Sequence, residues 1–166
     1  MRNSVFKILI VSCTLLILGF SSNPENQEKK NILMVEKYWD QLWNKGNLEI
    51  VGEFYHPNAK HGEDFTIEGF KKGVSFQREA FPDLKVIVND IFATNDKVIC
   101  DVTYTGTHTG RKIFKQEALG KSVKVPGLDI FTFKEGKCVR HQHVADHLEL
   151  VTQMGIKLTP TEVDKK

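Results

Sequence analysis

"SVKVPGLDIFTFKEGKCVRHQHVA", Ser122 to Ala145, decides the fold. Two runs of alternating side chains flank Glu135-Gly136, a dipeptide that makes a turn. In the first run Asp129, Phe131 and Phe133 share one parity. In the second, Val139, His141, His143 and Ala145 share one face, while Arg140 and Gln142 take the other, more solvated one. A period of two over this length predicts paired strands with one face toward a core. Asp129 is the anomaly, because a carboxylate in register with two phenylalanines is costly unless it has a partner or a task.

The same period extends upstream. "LKVIVNDIFA" is rich in β-branched residues, and in "KVICDVTYTGTH" Val98, Cys100, Val102, Tyr104 and His108 share the apolar parity. Before Leu84 the period is helical. Ile32, Val35, Trp39, Leu42 and Trp43 form one apolar stripe, stopped at Gly46. Asn47 can cap a second, shorter helix carrying Leu48, Val51, Phe54 and Tyr55, which the "HPN" stretch ends. Ile67, Phe70, Val74 and Phe81 mark a third, ended by Pro82. Leu148, Val151 and Met154 predict a short last helix ending at Gly155. Helices followed by a four-strand meander specify an α+β fold, with N-terminal helices packed in a curved antiparallel sheet that encloses a pocket.

Residues 1–22 have the layout of a secretory signal peptide: Arg2 and Lys7, an apolar run from Ile8 to Phe20, then Ser21 and Ser22. Export, periplasmic or extracellular, is therefore expected, with membrane attachment only if this segment is kept. Residues 23–31 read as a flexible arm, 32–155 as the domain, and 156–166 as a loose tail. The chain carries 23 Lys+Arg against 21 Asp+Glu, and loss of Arg2 and Lys7 leaves the mature protein near neutral. That balance gives no footprint for nucleic acid. Cys100 and Cys138 remain after cleavage and read as buried strand residues rather than a bridge.

His108, Asp129, His141 and His143 all fall on inward parities, so they are expected to meet inside the sheet. Three readings stay open. Asp129 with a histidine can remove a proton alpha to a carbonyl, given a base tuned toward the working pH. Burial raises a carboxylate's pKa, and a nearby protonated histidine lowers it. The same pocket can bind a hydrophobic ligand without transforming it. Finally, His-x-His with a nearby carboxylate offers ligands that zinc or iron accepts. His141 could equally be a satisfied strand histidine, Asp129 could pair with Arg111 or Lys124, and Asp146 can cap the last helix, with His56 and His147 at the surface.

"YHPNAKHG", "AFPDLKVIVNDIFATNDKV", "YTGTHTG", "GLDIFTFKEGKCVRH" and "ADHLELVTQMG" together resemble the SnoaL-like polyketide cyclases, often labelled ester cyclases, of the nuclear transport factor 2-like superfamily. The resemblance implies a cystatin-like, cone-shaped α+β barrel with a deep apolar cavity. It implies an intramolecular aldol ring closure, or isomerisation, of a small hydrophobic carbonyl compound, with no metal or organic cofactor. Asp129 matches the family's acid/base aspartate, and His61 and His108 match its cavity histidines. Tyr104, Phe131, Trp39, His141 and His143 are then expected on the pocket wall, and a homodimer is compatible with the family. Where many relatives read His-Trp-Asp, this chain reads His141-Gln142-His143. "IFKQEALGKSVKV" lacks the relatives' Gly-Ile-Pro-Pro loop.

Overall fold

The computed structural model describes residues 24–62 and 64–156. Helix α1 spans Pro24–Tyr38 and runs on into a π-helical turn, Trp39–Asn44. Then come α2, Ile50–Phe54; β1, Tyr55–Lys60; and α3, Ile67–Ala80. Strands β2, Lys85–Thr94; β3, Lys97–His108; β4, Lys121–Lys134; and β5, Lys137–Ala145 follow, and α4, His147–Gln153, closes the order.

Helix α1 starts earlier than the expected domain boundary, so the expected arm at 23–31 is helical from Pro24 on. Proline suits a first turn because its missing N–H has no helical partner to lose. Asn31 is buried there, and its Oδ1 accepts from Gln27 Nε2 one turn back at 2.9 Å. The π-helical turn buries Trp39, Leu42 and Trp43 together. Its wide turn often marks a functional position in a helix. Asn44 at its end ties the helical layer to the sheet, donating to the Val86 carbonyl at 3.0 Å and accepting from the Val86 N–H at 2.7 Å. Thr66 caps α3 by accepting from the Gly69 N–H, and Asp146 caps α4 by accepting from the Glu149 N–H at 2.8 Å.

The sheet order is β1-β5-β4-β3-β2, with β2 to β5 antiparallel and β1 parallel to β5. The sheet is thus mixed, not purely antiparallel as expected. The additional strand is "YHPNAK", whose proline reads as a break but is tolerated in a strand at the sheet's edge. A second correction concerns β5. Its register with β4 shifts between Thr132 and Phe133, so Phe131 faces His141 and Phe133 faces Cys138. Val139 is the extra residue of this bulge, and Cys138, rather than Val139, is the fully buried one. From Phe131 toward Asp129 the expected pairing holds, with Asp129 opposite His143.

The core lies between the helices and the concave face of the sheet. Tyr38, Phe54, Tyr55 and Phe131 are fully buried and in ring contact, with the Tyr38–Phe54 centroids 4.3 Å apart. Each such burial contributes roughly 1.5–3 kcal/mol, which is why the short helix α2 holds its place. Cys100 and Cys138 are free and buried. Among the described residues no helix is long and apolar enough to cross a membrane. The expected signal peptide, and the expected tail beyond Ile156, lie outside the described residues.

Candidate active site

Asp129 is fully buried on β4. Its Oδ1 lies 2.6 Å from His141 Nε2 and 3.0 Å from His143 Nδ1, and its Oδ2 accepts from the Tyr104 hydroxyl at 2.9 Å. The hairpin register sets these contacts. His143 is the direct partner of Asp129, and His141 stands two residues on along the same face. Tyr104 approaches from β3 because Gly127 has no side chain. A Cβ at Gly127 would meet Tyr104 Cε2 at 2.7 Å.

Burial raises the Asp129 pKa, but the hydrogen bonds from His141 and His143 outweigh it and hold the carboxyl at about 2. Of the two opposing effects expected from the sequence, the histidines win. An ionised carboxylate only accepts, so each nitrogen facing it carries a proton. Burial lowers His141 to about 4, against the pull of Asp129, so its imidazole is neutral at neutral pH. Neutral His141 with Nε2–H toward Asp129 leaves Nδ1 as an acceptor, and Tyr55 Oη stands 2.7 Å from it. Tyr55 therefore donates to His141. Tyr38 Oη lies 3.3 Å further back, ending a buried polar line of Tyr38, Tyr55, His141 and Asp129.

His61, from the loop after β1, stacks on His141 with centroids 4.2 Å apart, while Phe131 stacks on the other face at 4.2 Å. Its Nδ1 is 3.1 Å from the His141 carbonyl and must donate to it. Burial lowers the His61 pKa, so this ring is also neutral, and its Nε2 holds a lone pair. His143 is the solvent-side member of the group, its side chain 29% exposed. With Nδ1–H committed to Asp129, its Nε2 lone pair is unused by any described residue.

These groups open on a cavity of about 180 Å³ between the helices and the sheet. Asp129, His61, His141, His143, Tyr104 and Trp39 all line it, and Phe131 packs behind His141. His108 is placed elsewhere. It is buried toward the end of β3, Nε2 bonded to the Arg111 carbonyl at 2.9 Å, its ring against Phe81. Its inward parity was readable, but the curvature of a twelve-residue strand carries it past the cavity. Arg111 pairs with Glu79, not with Asp129. Tyr55 and Trp43 belong to the site and were not singled out. Tyr55 read as an apolar helix position, and only the three-dimensional path of β1 beside β5 brings it under His141.

The donors around Asp129 are placed as hydrogen-bond partners of one another. Nitrogen and oxygen stand 2.6 and 3.0 Å apart at Asp129. A zinc ion between them would need about 2 Å on each side. Among the described residues no group of three or more His, Cys, Asp or Glu is placed to hold a metal ion.

The family model described as SnoaL-like polyketide cyclase matches residues 33–154. No curated protein matches the chain. Among solved structures, TsrD of Streptomyces laurentii is similar at 24% identity and a TM-score of 0.70, covering 76% of this chain and 96% of its own. A candidate SnoaL-like polyketide cyclase of Jannaschia sp. CCS1 is similar at 23% and 0.70, covering 79% and 95%. AclR of Streptomyces galilaeus, named as a candidate hydroxylase, is similar at 23% and 0.71, covering 80% and 86%. At these identities the structural likenesses carry the fold, and the matched family model carries the membership. This chain belongs to the SnoaL-like polyketide cyclase family.

Proposed function

We propose that the protein is an exported acid/base catalyst that needs no cofactor and acts on a small hydrophobic carbonyl compound by intramolecular aldol closure or isomerisation. The observation that carries this reading is the Asp129–His143 pair. A buried, ionised carboxylate holds Nδ1–H of an imidazole whose other nitrogen is left for the cavity. In this reading His143 Nε2 takes the proton alpha to the carbonyl, and Asp129 steadies the imidazolium that forms. The enolate carbon then attacks a second carbonyl of the same molecule, and the new alkoxide recovers the proton from Nε2. For isomerisation the proton returns to a different carbon. Asp129, already engaged on both oxygens, orients and compensates charge rather than acting as the base. Export is supported by the N-terminal sequence. A sheet-to-sheet homodimer is supported by Leu128 and Val144, paired across β4 and β5 on the outer face and 46% and 69% exposed.

The test is exchange of the α-protons of phenylacetone in D2O, followed by proton NMR. The expected result is exchange well above buffer with the wild-type protein, reduced roughly a hundredfold in His143→Gln, a usual size for loss of a general base. Binding without faster exchange would favour the second reading, a ligand-binding module. The predominantly apolar wall built by Trp39, Trp43, Phe70 and Leu84 also suits that reading.

A further inference from the structure

The cavity's polar groups are unevenly distributed. His61, His141, His143, Tyr104 and Asp129 form one linked cluster, Gln77, Thr105 and His147 line the cavity outside it, and Trp39, Trp43, Phe70, Phe81 and Leu84 are apolar wall. Among the described residues no lysine or arginine lines it. Asp129, ionised, is the one carboxylate among the described residues that line it, so an anionic ligand would meet repulsion with no lysine or arginine of the described wall to offset it.

Size restricts the ligand further. A cavity of roughly 150 Å³ accepts one benzene ring. At about 180 Å³ this one has room for roughly seven to ten non-hydrogen atoms, the upper figure requiring packing as tight as a protein core. Three fused rings, roughly fourteen ring atoms, exceed that volume. Leu150 on α4 also lines the cavity and is only partly buried, so α4 contributes to the limit on size.

From this we infer that the substrate is an uncharged carbonyl compound with a single ring, or a chain of equal length, and not a fused multi-ring polyketide. The carbonyl faces His143 and the ring rests against Trp39 and Trp43. The carbonyl part rests on the function proposed above, whereas the limits on size and charge follow from the cavity alone.

Both tryptophans of the chain are on the cavity wall, so their fluorescence reports occupancy directly. The full chain is titrated with phenylacetone (one ring), β-tetralone (two) and anthrone (three). The inference expects quenching by phenylacetone, with anthrone at least about tenfold weaker. Leu150→Ala, which widens the cavity by about three carbon atoms without touching the polar cluster, should strengthen β-tetralone binding toward that of phenylacetone while anthrone stays weak. Phenylacetic acid, the anionic analogue, should bind at least about tenfold more weakly than phenylacetone. Anthrone binding as tightly as phenylacetone, phenylacetic acid binding more tightly than the ketone, or no quenching by any of them would overturn it. Phenylacetone that binds but does not exchange its α-protons contradicts the catalytic reading alone and leaves the size and charge limits standing.

Discussion

Asp129 is the residue on which the site depends. It is a fully buried charge whose two oxygens receive donors from His141, His143 and Tyr104. Removing the charge while keeping the shape leaves those donors facing an amide. Asp129→Asn should therefore lose roughly 3 kcal/mol of stability in urea denaturation, the scale of losing hydrogen bonds to a buried charged group. Acid should act in two steps. His141 has a native pKa of about 4 against an ordinary 6.5, so the unfolded chain binds the proton first and stability falls as pH drops from 6.5 toward 4. Asp129, depressed from 3.8 to about 2, contributes about 2 kcal/mol above pH 3.8, lost as pH falls toward 2. A melting temperature flat or rising from pH 7 to 4.5 would contradict the first step, and His141→Gln should flatten it.

At the scale of elements, the β4–β5 hairpin and its bulge aim the site. Deleting Gln142, in the regular part of β5, would set His143 opposite Ile130 on the outer face and bring Val144 opposite Asp129, because a one-residue shift exchanges the faces of a strand. The expected outcome is a chain that no longer speeds α-proton exchange of phenylacetone, read by proton NMR. Gly127 tests the same design from β4. Gly127→Ala forces Tyr104 away from Asp129 and should cost about 1–3 kcal/mol, comparable to overpacking a core. Full stability in that variant would mean that Tyr104 has somewhere else to go. Most of this was legible in the sequence. The period-two pattern placed Asp129, His141 and His143 on one face, and the apolar stripe placed Trp39. Bulges and curvature were not, since the pattern carries no mark of an extra residue. So Val139 was put on the wrong face, and His108, correctly read as inward, was placed too near Asp129. β1 was illegible for another reason. Its pairing with β5 joins segments about eighty residues apart, and its proline mimics a break.

For the whole molecule, the concave side holds the cavity and the outer side carries Leu128 and Val144. If that face joins two copies, replacing both residues by aspartate should give a monomer in light scattering with the melting profile preserved. A dimer persisting in that variant would place the interface elsewhere. The polar line from Tyr38 to Asp129 crosses the core between helix α1 and the sheet, so the protonation of the site and the packing of the fold depend on the same buried side chains. The central claim concerns where protons sit in that line, and long-range proton–nitrogen NMR of the imidazole rings at about pH 8, above the ordinary histidine range, reads it directly. The prediction is His143 carrying its proton on Nδ1 with Nε2 bare, beside His141 protonated on Nε2. His143 protonated on Nε2 with Nδ1 bare would contradict it, for then the nitrogen assigned as the base would already carry a proton and Asp129 would not be the group that holds it.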